Sequence, residues 1–280
     1  MNPFGTLYNP LSVAEVLTRL LDRRSFDADE IEDFGSEGHG SWLSHSLLSK
    51  PSRDEALAVL NDNLERASKQ VREAGVLIIT FGTAWVYRLK ETGAVVANCH
   101  HEAATRFTRE ALSVDEVVAT WQPMLERLRR ECPDLHVLFT VSPIRHLRDG
   151  AHANQLSKAT LLLAVDKLTA QHANATYFPA YEIVLDELRD YRFFAEDMTH
   201  PSSLAVDYLW ERFADTYFDA KTKDLSARVE NLAKALEHRP LHPDSDEFYR
   251  FQQTLSDKIE ALKRAFPDLK TTLFCPETAQ

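Results

Sequence analysis

The stretch Val76-Leu77-Ile78-Ile79-Thr80-Phe81-Gly82 decides the reading of the fold. It is a short run rich in branched residues, closed by a glycine, and it predicts a strand buried on both faces. Upstream, Pro51-Ser52 opens a helix in which Ser52 and Glu55 stand at capping-box spacing. Leu57, Leu60, Leu64, Ala67 and Val71 give that helix an apolar face, and Gly75 ends it. Earlier still, Ser12 reads as an N-cap before Val13, Val16, Leu17, Leu20 and Leu21 at helical spacing. Residues 25–50 are polar and hold Gly35, Gly38 and Gly40. That length marks a functional or disordered connection.

Downstream, Trp85–Leu89, a turn at Glu91-Thr92-Gly93 and Ala94–Ala97 predict a hairpin. Ser113 and Glu116 form a second capping box, opening a helix to about Glu131. His136–Val141 is a second buried strand and Ala175–Phe178 a short third. Between them residues 152–172 are helical, with Leu156, Ala159, Leu163 and Val165–Leu168 near one face. Further helices are expected over about 180–190 and 203–219. Strands alternating with helices imply a parallel sheet with helical crossovers, and so an α/β domain over residues 1–220. Residues 221–280 carry no strand. Leu225, Val229, Leu232 and Leu236 mark one amphipathic helix there, and Phe248, Phe251, Leu255, Ile259, Leu262 and Phe266 another. This is a helical C-terminal extension.

The 280 residues carry 32 basic and 43 acidic side chains, a net charge of −11. That sign argues against nucleic acid or an anionic membrane as the main partner. Residues 221–280 hold ten of each sign, so the excess acidity lies in 1–220. Cys99, Cys132 and Cys275 are too scattered for a disulfide framework or a zinc ligand set, and read as packing thiols of a reducing compartment. No apolar run approaches the ~18 residues a membrane span needs. Met1-Asn2-Pro3-Phe4-Gly5 has no signal-peptide character, so a soluble, cytoplasmic chain is expected.

Ligands of open parallel sheets bind beyond the carboxyl ends of the strands. After the first strand stands Gly82-Thr83-Ala84-Trp85, after the second Ser142-Pro143-Ile144-Arg145-His146, and after the third Pro179-Ala180-Tyr181-Glu182. Asp197-Met198-Thr199-His200-Pro201 precedes the last helix of the domain. A histidine base needs an acceptor on Nδ1 to fix its tautomer, and an aspartate three residues earlier can supply it. Asp197 and His200 are therefore the candidate catalytic pair. Arg145 and His146 are candidates to hold an anionic group or polarise a carbonyl. His39, His45, His100 and His101 have no metal-ligand spacing with a carboxylate, and no metal or other cofactor is expected.

The Asp-x-x-His block before the last helix resembles the final block of SGNH (GDSL-like) hydrolases. The wider chain resembles the GSCFA-domain family. The matching stretches are Asn2-Pro3-Phe4-Gly5-Thr6-Leu7-Tyr8-Asn9-Pro10, Phe81-Gly82-Thr83-Ala84-Trp85-Val86-Tyr87, Val95-Val96-Ala97-Asn98-Cys99-His100, Thr140-Val141-Ser142-Pro143-Ile144-Arg145-His146, Leu188-Arg189-Asp190-Tyr191-Arg192-Phe193 and Asp197-Met198-Thr199-His200-Pro201, with His238-Arg239-Pro240 in the tail. The resemblance implies a flavodoxin-like SGNH-hydrolase three-layer sandwich with a parallel sheet. It implies hydrolysis of an acyl or acetyl ester, on a small molecule or a carbohydrate, without a metal. His200 would be the base and Asp197 its orienter. Gly5 resembles the glycine block of the oxyanion hole.

Two departures stand out. The Gly-Ser-Cys-Phe-Ala motif that names the family, and whose serine would be the nucleophile, occurs nowhere in the chain. The expectation is that this motif and a first strand lie upstream of Met1. Ala84 also stands where the SGNH pattern has an asparagine, so the resemblance does not supply that donor, and Gly82 or Thr83 backbone, Asn98 or Arg145 could substitute for it. Within the chain Ser142 is the best-placed serine. The alternative reading is a non-catalytic ligand-binding protein on the same scaffold, and a third is a histidine-based metal hydrolase.

Overall fold

The computed structural model describes residues 2–236, 245–267 and 269. Cys275 and the His238-Arg239-Pro240 segment lie outside them. In chain order the elements are α1 (Pro10–Asp22), β1 (Glu32–Asp33), β2 (His39–Gly40), α2 (Arg53–Glu73), β3 (Val76–Phe81), β4 (Trp85–Leu89), β5 (Val95–Val96), β6 (Phe107–Ala111), α3 (Val114–Glu131), β7 (His136–Val141), α4 (Gly150–Gln171), β8 (Ala175–Tyr177), α5 (Ala180–Glu182), α6 (Ser203–Tyr217), α7 (Ala220–Leu236) and α8 (Asp246–Ala265). Short 3₁₀ turns punctuate the loops, and a π-helical turn over Ile183–Leu188 follows α5.

The parallel sheet has the order β3-β7-β8, in the register Ile79 to Phe139 and Phe139 to Tyr177. Ile79, Phe81, Val137, Phe139 and Val141 share one buried core with α1, α2, α3 and α4. Trp121 on α3 is its largest fully buried side chain. Its indole lies edge-on to Phe81 at 5.2 Å and to Phe139 at 5.3 Å, and its Nε1–H donates to Pro10 O at 3.1 Å. One residue thus joins α3, the sheet and the start of α1.

The strand Val76–Phe81 is not buried on both faces. It is the edge of the sheet, and Val76 and Ile78 are 57% and 54% exposed. Leu138, paired with Ile78, lies on the same face one strand inward and is 2% exposed. Cover is therefore complete over the central strand and missing at the rim.

Local sequence chemistry accounts for most helix ends. Asn9, not Ser12, caps α1: its side chain accepts from Ser12 N at 2.8 Å, and Pro10 occupies the first turn, where no amide donor is needed. Ser113 and Glu116 close a full capping box on α3. Residues 25–50 are ordered as 3₁₀ turns around the β1–β2 hairpin, with His39 and Lys50 exchanging backbone hydrogen bonds. The predicted hairpin gains a third strand, β6, antiparallel to β4. The three-residue α5 after β8 gives way to a π-helical turn instead of a regular helix over 180–190.

Helix α4 is rolled away from its expected face. Leu156 and Leu163 are exposed, while Asn154, Ser157, Lys158, Leu161, Ala164, Val165 and Leu168 are buried. The polar members of that face serve backbone groups at the strand ends.

The chain divides into two compact units, Met1–Leu209 and Trp210–Gln280. In the second, Leu232 of α7 and Leu262 of α8 are buried against Leu225, Val229, Leu255 and Ile259. Among the described residues no helix is long and apolar enough to cross a membrane.

Candidate active site

A cleft of about 1040 Å³ runs along the open edge of β3, between α1 and α2, and reaches the carboxyl ends of β3 and β7. Gly5, Gly82, Thr83, Ser142, Arg145, His146 and His200 all line it. Residues from four separate sequence stretches are thus gathered at one place.

The loop 195–200 presents His200. Asp197 Oδ1 accepts from the N–H groups of Thr199 and His200, both at 2.9 Å, and Oδ2 meets His200 Nδ1 at 2.5 Å. A carboxylate only accepts, so this contact places the ring proton on Nδ1 and leaves Nε2 as an acceptor. Among the described residues Nε2 has no protein partner. The two backbone donors, His200 first, and then the imidazole hold the Asp197 carboxyl well below the usual carboxylate range. Met198, at φ 59°, makes the tight turn, and Ala195 N closes it by donating to His200 O at 2.7 Å.

Arg145 holds this loop in place. Its Nη1 donates to Met198 O at 3.2 Å, and its guanidinium lies 4.1 Å from the Phe194 ring centre. His146 sits deeper, and burial first, then the Lys158 charge, depress its pKa.

The glycine amides of the cleft are occupied. Tyr8 O accepts from Gly82 N at 2.8 Å and from Thr83 N at 3.0 Å, and Gly5 N donates to Asn2 O at 3.0 Å. Ala84 is fully buried and its N–H donates to Ser157 Oγ at 2.8 Å. The expected backbone oxyanion donors are therefore satisfied within the protein. Asn98 lines the cleft and accepts His100 N on Oδ1 at 2.7 Å, which leaves Nδ2 without a protein partner among the described residues. Ser142 Oγ accepts from Ile144 N at 3.2 Å, a serine turn that opens the Pro143 bend.

Lys158 went unnoticed in the sequence. It is 1% exposed, and its ammonium donates to Gly82 O at 2.5 Å and Ser142 O at 2.7 Å. One cation thereby clamps the ends of β3 and β7 beneath the cleft. Burial alone pushes its pKa down to about 8. Its place on the buried stripe with Leu161, Val165 and Leu168, at steps of three and four, was the available signal. Arg109, Arg148 and Asp149 complete the rim. Arg109 forms a bidentate pair with Asp149 at 2.7 and 2.5 Å, and its guanidinium lies 4.0 Å from the Trp85 ring centre.

The Lys158 shift carries a pH dependence. The unfolded chain holds this proton up to about pH 10.4, whereas the folded chain releases it above about 8. Over that window the unfolded state binds more protons, so stability rises with pH, by about 3 kcal/mol in total. The Tyr177 phenol, pushed up first by burial and then by Glu182, acts in the opposite sense once unfolded tyrosine ionises near pH 10. Urea midpoints between pH 7.5 and 9.5 are expected to rise for the parent chain and to stay flat in Lys158→Met. Parallel profiles would show that Lys158 is not the group responsible.

An α/β protein with an Asp-backed histidine at the carboxyl edge of a parallel sheet is the class these features define. The family model described as "GSCFA family" matches residues 1–213, and that described as "GSCFA domain protein, C-terminal domain" matches residues 229–272. The chain belongs to the GSCFA family. No curated protein and no solved structure gives a significant match to it.

Proposed function

We propose that this protein is a hydrolase of acyl or acetyl esters of the SGNH type, on a flavodoxin-like scaffold. The observation that carries the reading is the His200 imidazole, fixed through Nδ1 by Asp197 and free at Nε2, on a cleft at the strand ends. His200 Nε2 takes the proton of a serine hydroxyl as its oxygen attacks the acyl carbon. The same proton passes to the leaving alkoxide, and water then cleaves the acyl-enzyme. In this reading the nucleophile is the serine of the family's Gly-Ser-Cys-Phe-Ala motif, which does not occur within these 280 residues. Asn98 Nδ2 is assigned to the oxyanion, a donor role whose loss typically costs roughly 10²–10³ in rate.

A second reading, ligand binding without turnover, is favoured by one feature of the cleft. Ser142, the serine among its lining residues, accepts from Ile144 N on its oxygen and makes no hydrogen bond to His200. A fluorophosphonate probe applied to the protein made from its natural gene separates the two. The hydrolase reading expects one labelled serine, located by peptide mass spectrometry, together with turnover of p-nitrophenyl acetate. No label and no turnover would leave the binding reading in possession.

A further inference from the structure

The charge lining the cleft opposes the charge of the chain. In a protein of net charge −11, Arg145 and Arg148 both face this cleft, and neither has a carboxylate within ion-pair distance among the described residues. Arg145 is bound only to the Met198 carbonyl and stands against aromatic rings. Arg148 donates to the Tyr87 hydroxyl at 3.0 Å. Beneath the floor, Lys158 is held by two carbonyl oxygens and no carboxylate. The acidic groups at hand are already engaged: Asp149 by Arg109, and Asp197 by His200. Lys158 is buried and Arg145 half-buried, and such cations are costly without a counter-charge, whereas Arg148 stands exposed at the rim, where an incoming anion can reach it. A concave wall of low dielectric also concentrates their field in the cleft.

We propose that the cleft takes an ester that carries an anionic group, a carboxylate, phosphate or sulfate, with Arg148 as its principal contact. Arg145 lends field from the loop it anchors, and Lys158 lends field from below. Guanidinium suits this role because its planar fork pairs with two oxygens of such a group. The assignment rests on reading the cleft as an ester site, but its charge preference is separately measurable.

The test is equilibrium binding by calorimetry to the His200→Ala chain, so that no turnover is required. The probes are monomethyl succinate, an anionic ester, and dimethyl succinate, its neutral counterpart. The anionic ester is expected to bind about tenfold more tightly at low salt, with the advantage shrinking as ionic strength rises. Arg148→Gln is expected to remove most of that advantage. Arg130→Gln, the same charge change on an exposed residue of α3, is expected to leave it intact. Equal affinity for the two esters, no binding of the anionic one at millimolar concentration, or an Arg148→Gln chain with the full advantage would each overturn the proposal. If the preference holds while the native protein labels no serine and cleaves no ester, the hydrolase reading falls and the anion site stands.

Discussion

Under the hydrolase proposal, replacing His200 by alanine is expected to lower kcat/KM for p-nitrophenyl acetate by about 10²–10⁴. In the proposed mechanism the side chain accepts the nucleophile's proton and returns it to the leaving group, and no other cleft group is fixed by a carboxylate in the same way. His146 lines the same cleft, but burial and the Lys158 charge disfavour its taking a proton. Asp197→Asn is expected to lose much of the same factor without unfolding the loop, because its amide can still accept from the backbone while it no longer fixes the Nδ1 proton. The Asp197 carboxyl is held so far below its ordinary range that it stays anionic throughout any practical assay. A fall in rate at mildly acid pH would therefore not report its protonation. Turnover unchanged in His200→Ala removes this residue from the chemistry.

Trp121→Ala is expected to have the largest effect on stability, a loss of about 3–5 kcal/mol in urea unfolding. Its indole is fully buried between Phe81 and Phe139, and its removal also strips Pro10 O of a donor. The consequence reaches the cleft through a short path. Pro10 begins α1, and two residues earlier Tyr8 O holds the amides of both Gly82 and Thr83. Trp121→Phe keeps most of the packing and is expected to cost less than half as much. A loss below about 1 kcal/mol for the alanine variant would mean that the core closes over the gap, contrary to the tight packing described.

Much of this architecture was legible because the parallel strands are short, branched and apolar. Val76–Phe81 and His136–Val141 begin and end where their residues change character. What periodicity could not supply was the depth of each strand in the sheet, since an edge strand and a central one carry similar side chains. The strand Phe107–Ala111 was missed because Thr108, Arg109 and Glu110 interrupt any apolar pattern, and it forms through pairing with β4. The roll of α4 was misread for a related reason. Leu156 and Leu163 were assigned inward on hydrophobicity, whereas Ser157 and Lys158 lie inward because strand-end groups need their donors and acceptors. The contact between Asp197 and His200 was readable from their spacing. The engagement of the Gly82 and Thr83 amides by Tyr8 was not, because it joins segments more than seventy residues apart.

The histidine and its aspartate are neighbours across a single turn, with both acceptor oxygens of Asp197 already used within residues 197–200. Closing so short a loop consumes little chain entropy, so the pair owes its geometry to four consecutive residues more than to the sheet behind them. Such a unit is portable. Helices can be exchanged and strands can drift in sequence, and the imidazole still arrives preassembled, with its Nδ1 side already fixed.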